Sequence, residues 1–270
     1  MLLLADARLT LAPLTNFDIG ALCSGAIVFV ALRAGTLTAG GALAAFFVGA
    51  LTFGALGPPG AFVLIAFFVT SVLLSRLGRS RKRGSDDIAK AGPRDGAQVL
   101  ANGGIATVCA LLTLTGETRY AVAFAGAFAA ANADTWGTEL GMLARATPRS
   151  ILTLRPVAPG ISGGVTLVGT VAEVLGAGLI AAVAALSGVA AAWPIFAGGV
   201  AGALIDSVLG ASLQSLRWCP QCHRVCETDP HRCGANTTLV RGASWIGNDA
   251  VNTAATAVGA LVAFTLVRSR

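Results

Sequence analysis

Eight apolar stretches, each close to the length of a bilayer crossing, take up nearly the whole chain. A helix needs about 20 apolar residues to cross the hydrocarbon core, and the stretches run over about 17–35, 38–56, 59–76, 97–115, 119–143, 163–186, 190–214 and 245–267. Only 12% of the 270 residues are charged, about half the share of a soluble domain. A water-soluble fold could not cover its surface with so few charges. The 55% apolar content and 34 glycines fit helices that pack closely within a membrane. Disorder, coiled coil and collagen are excluded by the same composition. The expected fold is all-α: a polytopic helical membrane protein of about eight transmembrane helices, forming a single integral-membrane domain over 1–270. Residues 1–16 do not read as a secretory signal, because Asp6 interrupts the apolar opening and no basic segment precedes it.

Lys and Arg set the orientation. Four loops on one side hold Arg33; Arg76, Arg79, Arg81, Lys82, Arg83, Lys90 and Arg94; Arg145, Arg149 and Arg155; and Arg217, Arg224, Arg232 and Arg241. These are fifteen of the nineteen cations. Those loops, including a basic loop at 77–96 and a Cys/His loop at 216–243, are expected in the cytoplasm, with both termini outside. A bacterial plasma membrane is the expected location. The net charge of +6 then reads as an orientation signal near anionic headgroups. Nucleic acid is not an expected partner.

Carboxylates inside a membrane are costly, at roughly 2.5–3.5 kcal/mol each on an insertion scale. Five fall within the spans: Asp134, Glu139, Glu173, Asp206 and Asp249. All but Glu173 sit toward the cytoplasmic ends, where amides and hydroxyls accompany them. Asp95, Gln98 and Asn102 share one helical face. Asn132, Asp134, Thr135 and Glu139 close the fifth span, and Asp134, Gly137 and Gly141 form a stripe that would admit another backbone. Ser162, Gly163, Gly164 and Thr166 open the sixth span. Asp206, Gly210 and Gln214 share a face of the seventh, and Asn248, Asp249 and Asn252 open the eighth. Each residue alone could be a hydrogen bond between helices. Five clusters at one depth point to a shared site. Glu173 shares a stripe with Ser162, Thr166 and Gly169 but lies about two turns deeper, and either floors the site or binds a neighbouring helix.

Acids and amides at this depth suit Mg²⁺, a hard cation that bridges carboxylates to substrate phosphates. Ser162, Gly163 and Gly164 at a helix start suit an anion, because N–H groups are free there. Arg94 could add a charge-assisted contact to a phosphate. The combination points to phosphoryl transfer on a lipid phosphate. The chain has no G-x-x-x-x-G-K-[ST] loop and no protein-kinase signature set. It also lacks the D-G-x2-A-R-x8-G-x3-D-x3-D pattern of CDP-alcohol phosphotransferases. Gly57-Pro58-Pro59-Gly60 reads as a turn between spans.

Cys219, Cys222, Cys226 and Cys233, with His223 and His231, fall within fifteen residues of the second large loop. A reducing compartment disfavours disulfides. The group could hold Zn²⁺ in a structural role or remain as free thiols. Cys23 and Cys109 read as packing residues.

The run from Arg94 to Asn102 and the block Asn-Ala-Asp-Thr-Trp-Gly-Thr-Glu-Leu-Gly at 132–141 resemble a known family. So do Gly-x-Ser-Gly-Gly-Val-Thr at 160–166, Asp206 to Ala211, Asn248 to Asn252, and the Cys/His loop. The resemblance covers roughly 20–267 and is to the integral-membrane family that contains human transmembrane protein 19, catalogued as domain of unknown function 92. The plant member is regarded as a phytyl-phosphate kinase that uses CTP or another nucleoside triphosphate. The resemblance implies a prenyl-phosphate kinase acting on phytyl or geranylgeranyl phosphate from the bilayer, with Mg²⁺. Asp134, Glu139, Asp206 and Asp249 would share metal binding and base duty. Arg94, Ser162, Gly163, Gly164 and Thr166 would hold phosphates, and Gln98, Asn102, Asn132, Thr135, Gln214, Asn248 and Asn252 would orient them. Two alternatives remain: a transporter or ion pathway built on intramembrane carboxylates, and a scaffold whose polar residues only join helices. The first needs polar residues through to the outer face, where the spans are Ala, Val, Leu and Gly.

Overall fold

The computed structural model describes residues 15–77, 92–144, 146–189 and 191–267. Asp6, Arg8, Arg79, Arg81, Lys82, Arg83, Lys90, Arg145, Arg268 and Arg270 lie outside them, so most of the basic loop and both chain ends do too.

The fold starts with α1 (Asn16–Arg33), capped by Thr15, whose hydroxyl accepts from the Asp18 N–H while the Asp18 carboxylate accepts from the Thr15 N–H. The next helical element, Ala39–Arg76, has non-helical geometry at Gly57, with φ 60° and ψ −153°. A straight helix of its 38 residues would be about 57 Å long, far beyond the roughly 30 Å of hydrocarbon. The chain instead doubles back. A Cβ on Gly60 would lie 3.3 Å from Cγ2 of Thr52, whereas eight residues of unbroken helix would separate them by about 12 Å. Phe68 accordingly packs against the cluster of Ala31, Leu37 and Ala42. We number the arms α2 (39–56) and α3 (58–76). Gly57 takes the positive φ, and Pro58 and Pro59 start the next arm where no N–H is needed. The expected turn between spans is therefore present at this motif.

The remaining helices are α4 (Gly96–Leu112), extended by one 3₁₀ turn at Thr113–Thr115, α5 (Arg119–Gly141), α6 (Leu167–Leu186), α7 (Ala192–Ser212) and α8 (Asn248–Leu266). Among the described residues, six helical elements are long and apolar enough to cross a membrane, with α2 and α3 counted as one. The protein is a multi-pass integral membrane protein built of helices. The sixth helix starts later than expected. Ser162 and Gly163 form a turn, with Gly163 at φ 77°, Gly164 and Val165 form a short strand, and Thr166 is the N-cap, accepting from the Gly169 N–H at 3.0 Å.

Helix α5 stands at the centre, against α4, α6, α7 and α8. Its residues 122–133 are all buried. It is not among the elements apolar enough to be a crossing by composition. The physical reason is that its neighbours shield it from lipid, so its surface can be Ala, Gly and Asn. Phe124, Phe128, Val63, Ile180 and Ile195 are fully buried and fill the bundle. Leu22, Phe29, Val30, Leu73, Leu175 and Leu261 point outward, as a lipid-facing surface requires. Helices α5, α7 and α8 meet through glycines. A Cβ on Gly259 would stand 2.7 Å from Gly126 O, 2.7 Å from Ala130 Cβ and 3.2 Å from Gly198 O.

Two small sheets depart from a purely helical chain. Strand β1 (Arg149–Ser150) pairs antiparallel with β2 (Gly164–Val165). Strands β3 (Leu216–Cys219), β4 (Arg224–Cys226) and β5 (Thr238–Arg241) form an antiparallel sheet in the order β4-β3-β5. Both lie in the connections at one end of the bundle.

Candidate functional site

At that end, a cavity of about 1370 Å³ is lined by residues from α3 through α8 and from the connections beside them. Helix α4 brings Gln98 and Asn102, with Arg94 just before its N-cap. Helix α5 brings Asp134, Thr135 and Glu139. The α5–α6 connection adds Ser162, Gly163, Gly164 and Thr166, and α7 adds Asp206. Asn248, Asp249 and Asn252 of α8 complete the wall. Fourteen of the sixteen residues expected at the site therefore share one cavity.

The small-residue stripes explain how the acids come together. Gly169 of α6 sits on α5, and its Cβ would lie 3.1 Å from Gly137 O and 3.5 Å from Gly141 Cα. This close approach brings Glu173 against Gly137, where a Cβ would lie 2.7 Å from Glu173 Oε1. Asp134 and Asp206 lie side by side, within hydrogen-bonding reach, and Glu173 is close enough to act on both. Asp206 Oδ2 is buried and has no hydrogen-bond partner among the described residues. Adjacent carboxylates repel unless a cation or proton lies between them. A hard divalent cation fits this donor set. Glu139 lies on the Arg94 side of the cavity, near enough for the two charges to interact.

Asp95 is the α4 N-cap, in a reciprocal pair with Gln98: Gln98 N–H donates to Asp95 Oδ1 at 3.0 Å and Asp95 N–H donates to Gln98 Oε1 at 3.1 Å. This engages the Gln98 amide oxygen at the start of α4. Asn102 donates to Gln98 O at 2.9 Å.

Three expectations need correction. Asn132 does not reach the cavity. It is fully buried, accepting from Thr70 Oγ1 at 2.9 Å and donating to Gly176 O at 2.8 Å, so it ties α3, α5 and α6 together. Gln214 is also buried away from the cavity, donating to Ser162 Oγ at 2.9 Å and Glu227 Oε2 at 2.8 Å. The Ser162 N–H is not a free helix-end donor, because it donates to Glu227 Oε1 at 2.7 Å, and its hydroxyl donates to Oε2 at 2.9 Å. The physical reason is the turn and short strand before α6, which hold Ser162 against Glu227 of the Cys/His loop instead of at the helix end. Truncating Asn132 to Ala is expected to lower stability by about 1–3 kcal/mol, the scale for stranding a buried partner. Thermal unfolding in detergent checks this, with the cavity chemistry of the folded fraction retained.

Two cavity acids escape a clear assignment from sequence. Glu173 reads ambiguously because it lies deeper than the other acids. Glu227 is hidden among the Cys and His residues of its loop. The Asp206, Gly210, Gln214 face is the available signal for Glu227, since Gly210 and Gln214 both touch Ser162, which Glu227 holds. Burial pushes the Glu227 carboxyl above its ordinary range, opposed by hydrogen bonds from Ser162 and Gln214 and by the Arg241 charge.

In the Cys/His loop, the β3–β4 turn carries Cys219 and Cys222. His231 and Cys233 come from the following turn, closed by Gly234 N–H donating to His231 O. The ligand atoms of these four residues all lie within 4.8 Å of one another. The other two candidates do not join them: Cys226 Sγ donates to Thr228 O at 3.7 Å, and the His223 ring packs edge-on near Trp218.

The sequence profile of "Integral membrane protein DUF92" matches residues 22–260. The chain belongs to this family. It is 31% identical to Protein PGR of Arabidopsis thaliana, over 89% of this chain and 92% of the relative. It is 26% identical to Protein VTE6, chloroplastic, of the same plant, over 85% of this chain and 65% of the relative. An uncharacterized membrane protein of Methanocaldococcus jannaschii is 37% identical over 55% of this chain and 63% of its own length. No solved structure gives a significant match. The DUF92 match includes every residue of the cavity wall named above.

Proposed function

We propose that this DUF92 protein is a membrane prenyl-phosphate kinase. It transfers the terminal phosphoryl group of a nucleoside triphosphate, with CTP the expected donor, to an isoprenyl monophosphate such as phytyl or geranylgeranyl phosphate. The observation that carries the reading is the placement of Asp134 and Asp206 side by side in a cavity at one end of the bundle, with Asp206 Oδ2 lacking a partner among the described residues. The activity implied by the family resemblance belongs to the same class.

In the transfer, an oxygen of the prenyl monophosphate attacks the terminal phosphorus of the donor. A new P–O bond forms, the bond to the bridging oxygen breaks, and the nucleoside diphosphate leaves. A phosphate monoester oxygen is already an adequate nucleophile, so the protein's work is positioning and charge neutralisation. Asp134 and Asp206 would hold Mg²⁺, with Glu139 and Asp249 on the same wall. When bound, the ion neutralises phosphate charge and polarises the phosphoryl oxygens. Arg94 contributes a fixed positive charge toward a phosphate, and Gln98, Asn102, Asn248 and Asn252 offer amides for orientation. The cation-rich loops support an orientation with this end of the bundle in the cytoplasm of a bacterial plasma membrane, where nucleotide is available.

The buried side chains beyond the cavity favour an enzyme over a conduit. Phe124, Phe128 and Ile195 fill the bundle. The test is purified protein with Mg²⁺, CTP and phytyl or geranylgeranyl phosphate, read as prenyl diphosphate formed. Absence of diphosphate across prenyl lengths and nucleotides overturns the proposal. Solute flux into proteoliposomes that Asp134→Ala abolishes would establish transport instead.

A further inference from the structure

We infer that Cys219, Cys222, His231 and Cys233 form a structural zinc site that holds the Glu227 wall of the cavity in place. The inference is independent of the kinase reading.

The donor set supports the assignment. Three thiols and one imidazole make a Cys₃His set, one of the closed four-ligand combinations that Zn²⁺ takes in structural sites. Their spacing also fits. Tetrahedral ligands at a Zn–S distance of about 2.3 Å stand roughly 3.8 Å apart. Cys219 and Cys233 Sγ are 3.6 Å apart, and His231 Nδ1 is 3.2 Å from Cys233 Sγ. A disulfide would bring two sulfurs to about 2.05 Å, and all six cysteines are free. Cys219 is fully buried and His231 is 4% exposed, so the pair faces inward rather than toward solvent. Short turns deliver the ligands two at a time: the β3–β4 connection supplies Cys219 and Cys222, and a turn closed at Gly234 supplies His231 and Cys233.

The sheet that carries these ligands also reaches the cavity. Glu227 follows β4 directly and holds the Ser162 N–H and hydroxyl. Arg241, at the end of β5, donates to Gly210 O of α7 at 2.9 Å. A loop of this length has few large apolar groups to bury, and a metal supplies the missing fixation. The ion therefore fixes a cavity wall without touching a substrate.

The test uses the full chain purified in detergent under reducing conditions without chelator. Metal analysis is expected to find one zinc per chain. Cobalt exchanged into the site is expected to give the intense absorption of tetrahedral thiolate ligation. Chelation should open Cys219, Cys222 and Cys233 to alkylation, read cysteine by cysteine by mass spectrometry. It should also speed hydrogen exchange at the 158–166 segment, because Glu227 no longer holds Ser162. Cys222→Ser should lose the zinc. Cys226→Ser should retain it, and so should His231→Cys, which restores four ligands as Cys₄ and guards against misfolding of the serine variant. Protein with no zinc, octahedral cobalt spectra, or a Cys219–Cys233 disulfide in anaerobically prepared material would overturn the site. Unchanged exchange at 158–166 after zinc removal would overturn its role as a clamp.

Discussion

Replacing Asp134 or Asp206 by Asn is expected to abolish phosphoryl transfer while leaving a folded protein. The exchange keeps side-chain size and hydrogen-bonding capacity, so the α5–α7 contact survives. What disappears is one of two adjacent negative charges in the cavity. A bound metal ion contributes several kcal/mol of charge stabilisation, so its loss should lower kcat by about 100-fold or more. The measurement is prenyl diphosphate formation against Mg²⁺ concentration, paired with thermal unfolding of the same samples. Unfolding of both variants in detergent would instead assign these residues to holding the bundle together. Full activity would remove them from the chemistry.

Substituting Gly259 by Val is expected to cause a large loss of stability. Its Cβ would meet the backbone oxygen of Gly126 at 2.7 Å and Ala130 Cβ at the same distance, with Gly198 O at 3.2 Å. Overpacking a core usually costs about 1–3 kcal/mol. Here the obstacles on α5 and α7 are two backbone oxygens and an alanine Cβ, none of which can rotate aside, so the cost should reach or pass the top of that range. The expected readout is a sharp fall in yield and in unfolding temperature in detergent. Gly178 provides the contrast, because the methyl group of an alanine there would have nothing within 4 Å. Gly178→Ala should be neutral or slightly stabilising through helix propensity.

The acid pair and the Gly259 contact differ in how far hydropathy along the chain reveals them. The acids are legible in the sequence because a carboxylate within a membrane span is costly and therefore rare. Asp134, Glu139, Asp206 and Asp249 can be singled out without knowing which helices touch. The stripe of Asp134, Gly137 and Gly141 also indicates close approach by another backbone, and Gly169 of α6 makes that approach. Gly57 with its two prolines marks a turn inside what local helicity alone would join.

Other residues mislead for a common reason. Asn132 and Asp134 are two residues apart on α5, and a sequence pattern cannot tell which reaches the cavity. Asn132 points to α3 and α6, and Asp134 to Asp206. Ser162 has the look of a helix-end anion site only while α6 is taken to begin near 163; the Thr166 cap puts the helix start four residues later. Glu227 has no local pattern of its own, since its partners Ser162 and Gln214 are 65 and 13 residues away, and only the Gly210 and Gln214 face points to it indirectly.

Hydropathy and charge along the chain are enough to show that it crosses a membrane, which end carries the polar chemistry and which residue types supply it. These follow from transfer energies, which depend on composition along a segment of about 20 residues. The folded arrangement alone shows which acids adjoin, which two of six Cys/His candidates fall away from the cluster, and that the Cys/His loop forms a wall of the cavity. Those outcomes depend on helix-to-helix contact, which is set by where glycines let backbones meet rather than by the hydropathy of any one helix.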